Sequence, residues 1–271
     1  MATSFFETDG EAFRATELTR GPWDPGLQHF GPSAALLGRA IEGVADDGKR
    51  VARITFEILS PVPITALQVQ VSIVRAGRRI DLVEAQLSDR DGRAYALARA
   101  WRMRVADLAL PDHIGGLDEA DRPGASGAAL PPPDAASHRP FFLGNDVVGY
   151  HTATDWRFLS GAFGEPGPAI AWCRSLVSLV DAEPLSPLQR VLIVADSGNG
   201  ISAVAAPSQL IFVNTDLTVA LHREPTSEWI GMDSRTVLEP NGSGLASSVL
   251  HDTHGKCGIA LQTLFVDLPP T

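Results

Sequence analysis

The chain has only two cysteines among its 271 residues, Cys173 and Cys257, which argues against a disulfide framework and a cysteine-rich zinc site. We therefore expect a reducing compartment. Apolar runs are short, such as Val191 to Ala195, and none reaches the length of a membrane-spanning helix. The first residues also lack the basic stretch and apolar core of a secretion signal. The expectation is a cytoplasmic protein with no membrane partner.

Positive charge is scarce as well, since 22 Lys and Arg face 32 Asp and Glu and the formal net charge is −10. Binding to a nucleic-acid backbone depends on clustered Lys and Arg, so we expect no nucleic-acid partner. The sequence has no Gly-x-Ser-x-Gly, no Gly-x-Gly-x-x-Gly and no phosphate-loop motif, which argues against a serine hydrolase, a dinucleotide enzyme and an NTPase. Apolar residues make up 44% of the chain, which predicts a substantial core.

An internal repeat is the most informative feature that the sequence does contain. Segments 87–103 and 250–266 both read Leu-x-Asp-x-x-Gly-[Arg/Lys] and then continue as a long apolar stretch. The four matching positions keep one constant offset along the chain. Asp and Gly favour tight turns, so each segment predicts the turn and second arm of an antiparallel hairpin. We infer that the chain has two similar halves.

Each half is predicted to hold one helix followed by long strands. The helices span residues 32–44 and 187–196, and both are apolar around most of their circumference, which is typical of buried helices. The predicted strands are 50–58, 66–75 and 79–88 in the first half, and 209–223, 228–237 and 244–251 in the second. This order favours a sheet curled around the helices. The alternative of two ordinary α+β domains would require surface helices with a polar face.

Segment 107–139 is predicted to be a linker because it is rich in Pro, Gly, Ala and Asp and has no periodicity. The expected organisation is an N-terminal unit of residues 1–106, this linker, and a C-terminal unit of residues 140–271. Both units would belong to the α+β class, with one helix packed against an antiparallel sheet in each.

Four motifs carry a resemblance to a known family. They are HFGPSAALLGRAIE, VADSGNGIS, FVNTDLTVALHR with EW after it, and GIALQTLFV. Together they resemble the acyl-CoA thioesterase II class of double-hotdog enzymes. The resemblance implies two tandem repeats that form one continuous curved sheet around two central helices. It also implies hydrolysis of an acyl-CoA substrate without a cofactor or metal. Long hotdog sheets leave edge strands to cover, so we expect a homodimer.

The resemblance also implies the site residues. In that family the attacking water is held by a carboxylate at the end of the second helix, a hydroxyl residue on the next strand and a glutamine on the last strand. These roles fall on Asp196, Asn214 and Gln262, with Asn214 standing where the family has Ser or Thr. An amide can both donate to and accept from a water. Thr215 is assigned to substrate binding, although a regular strand would direct it away from the face of Asn214.

The start of the first helix is also expected to contact the substrate. Unpaired N–H groups and the helix dipole favour a developing negative charge at that end. Gly31 is the candidate donor, because a glycine lets a substrate approach the main chain closely. His29, two residues earlier, is the other substrate-binding candidate.

Two other functions stay open. An enoyl-thioester hydratase or dehydratase would need a His paired with an acid at the helix start, and His29 is the only residue near that position. The amide at Asn214 leaves a non-catalytic acyl-CoA-binding protein as the second alternative. Asp216 is interpreted as a structural hydrogen-bonding residue. His251 and His254 form His-x-x-His with no third ligand nearby, so no metal site is predicted.

Overall fold

The computed structural model describes residues 2–45, 47–109, 129–144, 146–206 and 208–269. The first half contains β1 (Ser4–Asp9), β2 (Ala12–Ala15), α1 (Phe30–Glu42), β3 (Lys49–Ile58), β4 (Ala66–Arg75), β5 (Ile80–Ser88) and β6 (Ala94–Arg104). The second half contains β7 (Thr154–Ser160), β8 (Ala169–Ser175), β9 (Ser178–Val180), α2 (Pro187–Ala195), α3 (Gly198–Ile201), β10 (Ile211–Asn214), β11 (Asp216–Leu221), β12 (Ile230–Glu239), β13 (Ser243–Asp252) and β14 (Gly255–Asp267).

The fourteen strands of the described residues form a single sheet. Their order is β7-β8-β12-β13-β14-β11-β3-β6-β5-β4-β2-β1-β9, with β10 beside β14. Strands β11 and β3 pair antiparallel near the middle, where Val219 lies opposite Ile54. Outward from this pair, β11-β14-β13-β12-β8-β7 on one side corresponds to β3-β6-β5-β4-β2-β1 on the other. The described strands therefore form one sheet, with a matching strand order on its two sides.

The repeated sequence motif forms two equivalent hairpins, β5–β6 and β13–β14. Gly92 and Gly255 in their turns have φ of +83° and +125°, a backbone conformation that favours glycine. Asp89 accepts a hydrogen bond from the backbone N–H of Arg93, and Asp252 accepts one from that of His254. The Asp of each motif therefore stabilises the turn of its hairpin, so the repeated pattern has the same structural role in both halves.

Both long helices are buried, as their apolar sequences predict. Helix α1 contacts β3, β4 and β5, and α2 contacts β8 and β12. Leu36 and Leu192 are fully shielded from solvent. The two helices also contact each other at two glycines of α1. A Cβ atom on Gly31 would lie 2.3 Å from the backbone oxygen of Ile193, and one on Gly38 would lie 2.4 Å from a side-chain carbon of Leu192. The glycines thus permit a close approach of α1 to α2.

Some elements differ from the sequence-based expectations. The five strands that precede the two long helices, β1, β2, β7, β8 and β9, were not predicted. The strand predicted at 209–223 is interrupted at Thr215 and becomes β10 and β11. At this break, the backbone N–H of Thr215 donates to the Thr263 carbonyl oxygen, and the Thr263 N–H donates to the Asp216 carboxylate. Asp216 therefore has the structural hydrogen bond that was expected of it.

The predicted linker, residues 107–139, is described only in part. Residues 110–128 lie outside the described residues. Residues 129–139 pack against the second half, where the Trp172 indole donates to the carbonyl oxygen of Pro131 at 2.8 Å. Ser137 and Phe158 exchange two backbone hydrogen bonds. This part of the segment is therefore attached to β7 and β8.

The described residues contain neither a membrane-crossing helix nor a cluster of metal ligands. No helix in this part of the chain is long and apolar enough to cross a membrane. No group of three or more His, Cys, Asp or Glu side chains among these residues could hold a metal ion.

Three histidines that are buried or partly buried predict a loss of stability in mild acid. Burial lowers the pKa of His29, His151 and His251. A lowered pKa means that the unfolded chain binds the proton more tightly, so the free energy of unfolding falls as the pH drops below about 6.5 and levels off below the folded pKa. We expect calorimetry to show Tm decreasing between about pH 6.5 and 5. His251→Gln should flatten this decrease, because one of the three histidines is then removed; a variant whose Tm decreases as steeply as that of the natural protein would contradict the assignment.

Candidate active site

Asp196 lies directly after the last residue of α2 and is only 6% exposed. The C-terminal end of a helix favours cations, so a buried carboxylate there needs hydrogen-bond donors from elsewhere. At the other end of α2, Ser186 and Gln189 form a capping box, and Glu42 of α1 accepts a hydrogen bond from the Ser186 hydroxyl. The helix is thereby held at its start by α1 while its end presents Asp196.

Two amide side chains converge on Asp196. The Asn214 amide at the end of β10 donates to Asp196 Oδ1 at 2.9 Å. The Gln262 amide on β14 donates to the main-chain oxygen of Asp196 at 2.9 Å and lies 3.4 Å from its Oδ1. The pairing of β10 with β14 brings these strands together. The structure therefore places the three residues that the family resemblance named next to one another.

Gln262 lies behind the carboxylate. It is 2% exposed, and it is not among the described residues that line the adjacent cavity. Its Oε1 accepts a hydrogen bond from the backbone N–H of Asn199 at 3.0 Å. One buried amide thus connects the end of α2 to the short helix α3, which orients Asp196 from the side away from the cavity.

His29 caps the start of α1 and reaches the same carboxylate. Its Nδ1 accepts from the backbone N–H of Gly31 at 3.1 Å and lies 3.4 Å from Asp196 Oδ2. Burial lowers the pKa of His29, although the charge of Asp196 opposes this shift. Because the Gly31 N–H occupies Nδ1, the neutral ring carries its proton on Nε2, which lies 3.5 Å from Ser197 Oγ.

Gly31 occupies a different position from the one expected. Its N–H donates to His29 Nδ1, and the position that a Cβ atom would occupy faces the backbone of Ile193 in α2. Gly31 is not among the described residues that line the cavity. The close approach that this glycine permits is that of a second helix, which the sequence of α1 alone does not reveal. Phe30, the first residue of α1, lines the cavity instead. Thr215 also lines it beside Asn214, at the break between β10 and β11.

Sequence reasoning missed Tyr150 and Ser197. The Tyr150 ring stacks on His29 with 3.8 Å between ring centroids. Its hydroxyl donates to the carbonyl oxygen of Ile193 and lies 3.1 Å from Ser197 Oγ. Burial raises the pKa of Tyr150 well above its usual range, which keeps the hydroxyl protonated. Ser197 was interpreted only as part of a helix-ending Ser-Gly-Asn-Gly, and nothing in the local sequence of Tyr150 indicates its contact with α2.

These groups line one side of a cavity of about 420 Å³. The polar side is formed by His29, Asp196, Ser197, Asn199 and Asn214. The remaining lining of the cavity is mainly apolar and includes Phe30, Ile201 and Phe212. A buried carboxylate, an amide and a neutral imidazole at one end of an apolar cavity can position a water or a carbonyl group beside an apolar ligand.

Family models match most of the chain. Residues 19–103 match the acyl-CoA thioesterase N-terminal domain, and residues 127–266 match the acyl-CoA thioesterase C-terminal domain. The chain belongs to the acyl-CoA thioesterase family. It is a thioester hydrolase, as the resemblance of its motifs implies. A search of curated proteins found no match.

Solved structures support the fold of this thioesterase. An Alicyclobacillus acidocaldarius protein of unknown function with a hot dog fold is 13% identical, with a TM-score of 0.69, 98% of this chain covered and 96% of that one. The tesB protein of Mycobacterium avium subsp. paratuberculosis is 15% identical, with a TM-score of 0.65 and the same coverage. Acyl-CoA thioesterase II TesB2 of Mycobacterium marinum is 17% identical, with a TM-score of 0.64, 97% of this chain covered and 96% of that one. The thioesterase has a hotdog fold.

Proposed function

We propose that the enzyme hydrolyses an acyl-CoA to a free acid and coenzyme A, using a water held beside Asp196 and Asn214, with Gln262 fixing the carboxylate. The observation that carries this proposal is the Asn214–Asp196 contact of 2.9 Å at the wall of an apolar cavity. Water attacks the thioester carbonyl carbon while Asp196 takes its proton. The C–S bond then breaks, and the departing thiolate receives that proton.

The developing negative charge on the carbonyl oxygen requires a hydrogen-bond donor. The first turn of α1 supports this role, because helix N-termini have N–H groups without intrahelical partners and a favourable dipole. The main-chain N–H of Phe30 is now our candidate donor instead of that of Gly31. Phe30 lines the cavity, whereas the Gly31 N–H is bonded to His29. His29 and Thr215 are proposed to contact the substrate at the same end of the cavity.

Asn214 is expected to tolerate a hydroxyl residue but not an apolar one. In Asn214→Leu, the donor to Asp196 is lost and the water loses a partner, so kcat should fall by about 10- to 100-fold, the range for a misplaced reacting group. Asn214→Thr keeps a hydrogen-bonding group and should retain most of the activity. Release of free thiol from an acyl-CoA measures both. A leucine variant within twofold of the natural enzyme would contradict the assigned role.

One contact favours a second reaction. His29 lies 3.4 Å from Asp196, so the chain does have the His and acid pair that a hydratase or dehydratase needs. Incubation with an enoyl-CoA separates the two reactions. Loss of the enoyl absorbance without release of thiol would support hydration, whereas release of thiol supports hydrolysis. Tight acyl-CoA binding with neither change would support the non-catalytic binder.

The two halves are proposed to be two hotdog repeats, that is, a double hotdog. The matching strand order on either side of the β3–β11 pair supports this arrangement. The first repeat is proposed to end near residue 106. The second is proposed to begin near residue 129, ahead of the expected residue 140, because Pro131 and Ser137 are bonded to β8 and β7. Limited proteolysis should cut between these boundaries, and protection of that segment would argue against a linker.

We also propose a cytoplasmic homodimer. Apolar side chains that are 43 to 52% exposed occur on neighbouring strands of the second half, including Val237, Leu245, Ile259 and Phe265. Covering such a surface by a second copy is favourable. Light scattering in solution would measure the mass, and a monomer would contradict the proposal.

A further inference from the structure

The aromatic residues of the chain are concentrated around the cavity. The sequence has 11 Phe, 5 Trp and 2 Tyr, which make up 7% of its residues. Eight of them line the cavity within the described part of the chain. Six belong to one wall, namely Trp23, Phe141, Phe142, Tyr150, Trp156 and Phe163. An ordinary apolar pocket does not require this enrichment, because aliphatic side chains are more abundant in this sequence.

The rings of this wall contact one another. Phe141 stacks on Phe142 at 4.3 Å and on His151 at 4.4 Å between centroids, and it meets the edge of Phe163 at 4.9 Å. Phe163 in turn meets Trp156 edge-on at 5.6 Å. These are the offset-stacked and edge-to-face geometries that aromatic pairs prefer. The rings therefore form one connected cluster with flat surfaces.

The cluster continues from the polar end of the cavity. Tyr150, which stacks on His29, precedes His151 in the chain, and His151 stacks on Phe141. Substrate contact with this wall requires that the acyl group of a thioester whose carbonyl lies at Asp196 extends along these rings. Further out, Trp23 and Phe142 are 61% and 54% exposed and lie 6.4 Å apart. Such exposed rings are available to contact a bound molecule.

We propose that the preferred acyl group is aromatic, so that the substrate is the thioester of an arylcarboxylic or arylacetic acid. This inference rests on the proposed function of the same site. A planar ring gains stacked and edge-on contacts with the wall in addition to burial of its surface, whereas an alkyl chain of similar size gains the burial alone. Two or more such contacts favour the aromatic substrate by about tenfold or more.

The test compares three substrates of the natural enzyme, each with an acyl group of eight carbons: phenylacetyl-CoA, cyclohexylacetyl-CoA and octanoyl-CoA. We expect kcat/KM for phenylacetyl-CoA to exceed the other two by about tenfold. Octanoyl-CoA equal to or better than phenylacetyl-CoA would overturn the proposal. Equal values for the phenyl and cyclohexyl thioesters would overturn it too, because shape alone would then explain the preference.

Binding of the same thioesters to the Asp196→Asn variant, measured by calorimetry, makes the comparison independent of turnover. Tighter binding of phenylacetyl-CoA with no hydrolysis by the natural enzyme would overturn the proposed function and keep the aryl preference. Hydrolysis of all three with no difference in affinity would keep the function and overturn the preference.

The variant Phe163→Leu removes the ring that connects Phe141 to Trp156. It should lower the ratio of phenylacetyl to octanoyl kcat/KM several-fold. The control is Phe13→Leu, the same change at a partly buried ring on β2 that is outside the cavity lining. Phe141→Leu is the second variant if Phe163→Leu does not fold. An unchanged ratio in a folded variant would overturn the proposal.

Discussion

Replacing Asp196 by Asn is expected to lower kcat by about 10²- to 10⁴-fold, the usual range for loss of a general base. The amide has nearly the same shape as the carboxyl, and its oxygen can still accept the hydrogen bond from Asn214 that Oδ1 accepts now. The fold should therefore persist while the group that takes the proton from water is lost. Thiol release under saturating acyl-CoA measures kcat, and circular dichroism checks the fold.

The matched control is Asp233→Asn, the same chemical change at an exposed position of β12. Its kcat should stay within twofold of the natural enzyme. An Asp196→Asn variant with nearly full activity would rule out Asp196 as the base. A covalent route is tested on the same samples, because Ser197 Oγ lies 3.5 Å from His29 Nε2. An acyl group found on Ser197 by mass spectrometry during turnover would contradict direct attack by water.

Gly31→Ala is expected to reduce both stability and activity. The new Cβ would lie 2.3 Å from the carbonyl oxygen of Ile193, and a backbone atom has little freedom to move away. Overpacking of this kind costs about 1 to 3 kcal/mol. For a chain of this size, Tm falls by about 2 to 4 °C per kcal/mol. Because Ile193 also accepts from Tyr150 and is three residues before Asp196, the displacement should lower kcat as well.

Two other glycines of the first helix region serve as controls. Gly43→Ala places its Cβ at 3.4 Å from the nearest atom, an ordinary contact, and should leave Tm and kcat nearly unchanged. Gly38→Ala meets a flexible side-chain carbon of Leu192 at 2.4 Å and should have an intermediate effect on Tm with less effect on kcat. The loss of Tm is expected to be largest for Gly31→Ala, smaller for Gly38→Ala and smallest for Gly43→Ala. A Gly31→Ala variant as stable as Gly43→Ala would show that α2 adjusts freely.

Much of the fold follows from local patterns in the sequence. The two apolar segments predict buried helices because a helix without a polar face has no side to expose. The Asp and Gly of each repeat predict the hairpin turns, because these residue types satisfy a turn within a few residues. Short strands such as β2, with four residues, carry too little periodicity to be recognised.

The candidate site, like the fold, could be predicted from the sequence only in part. The sequence by itself determined the helix that ends at Asp196 and, through the family resemblance, the pairing of Asp196 with Asn214 and Gln262. Only the tertiary structure decided that Gly31 faces α2, that His29 and Tyr150 stack beside Asp196, and that aromatic rings from separate segments share one wall. Turns and helix faces depend on residues a few positions apart. The approach of His29 to Asp196 depends on how α1 and α2 pack against each other and against the sheet, and no local periodicity encodes that packing.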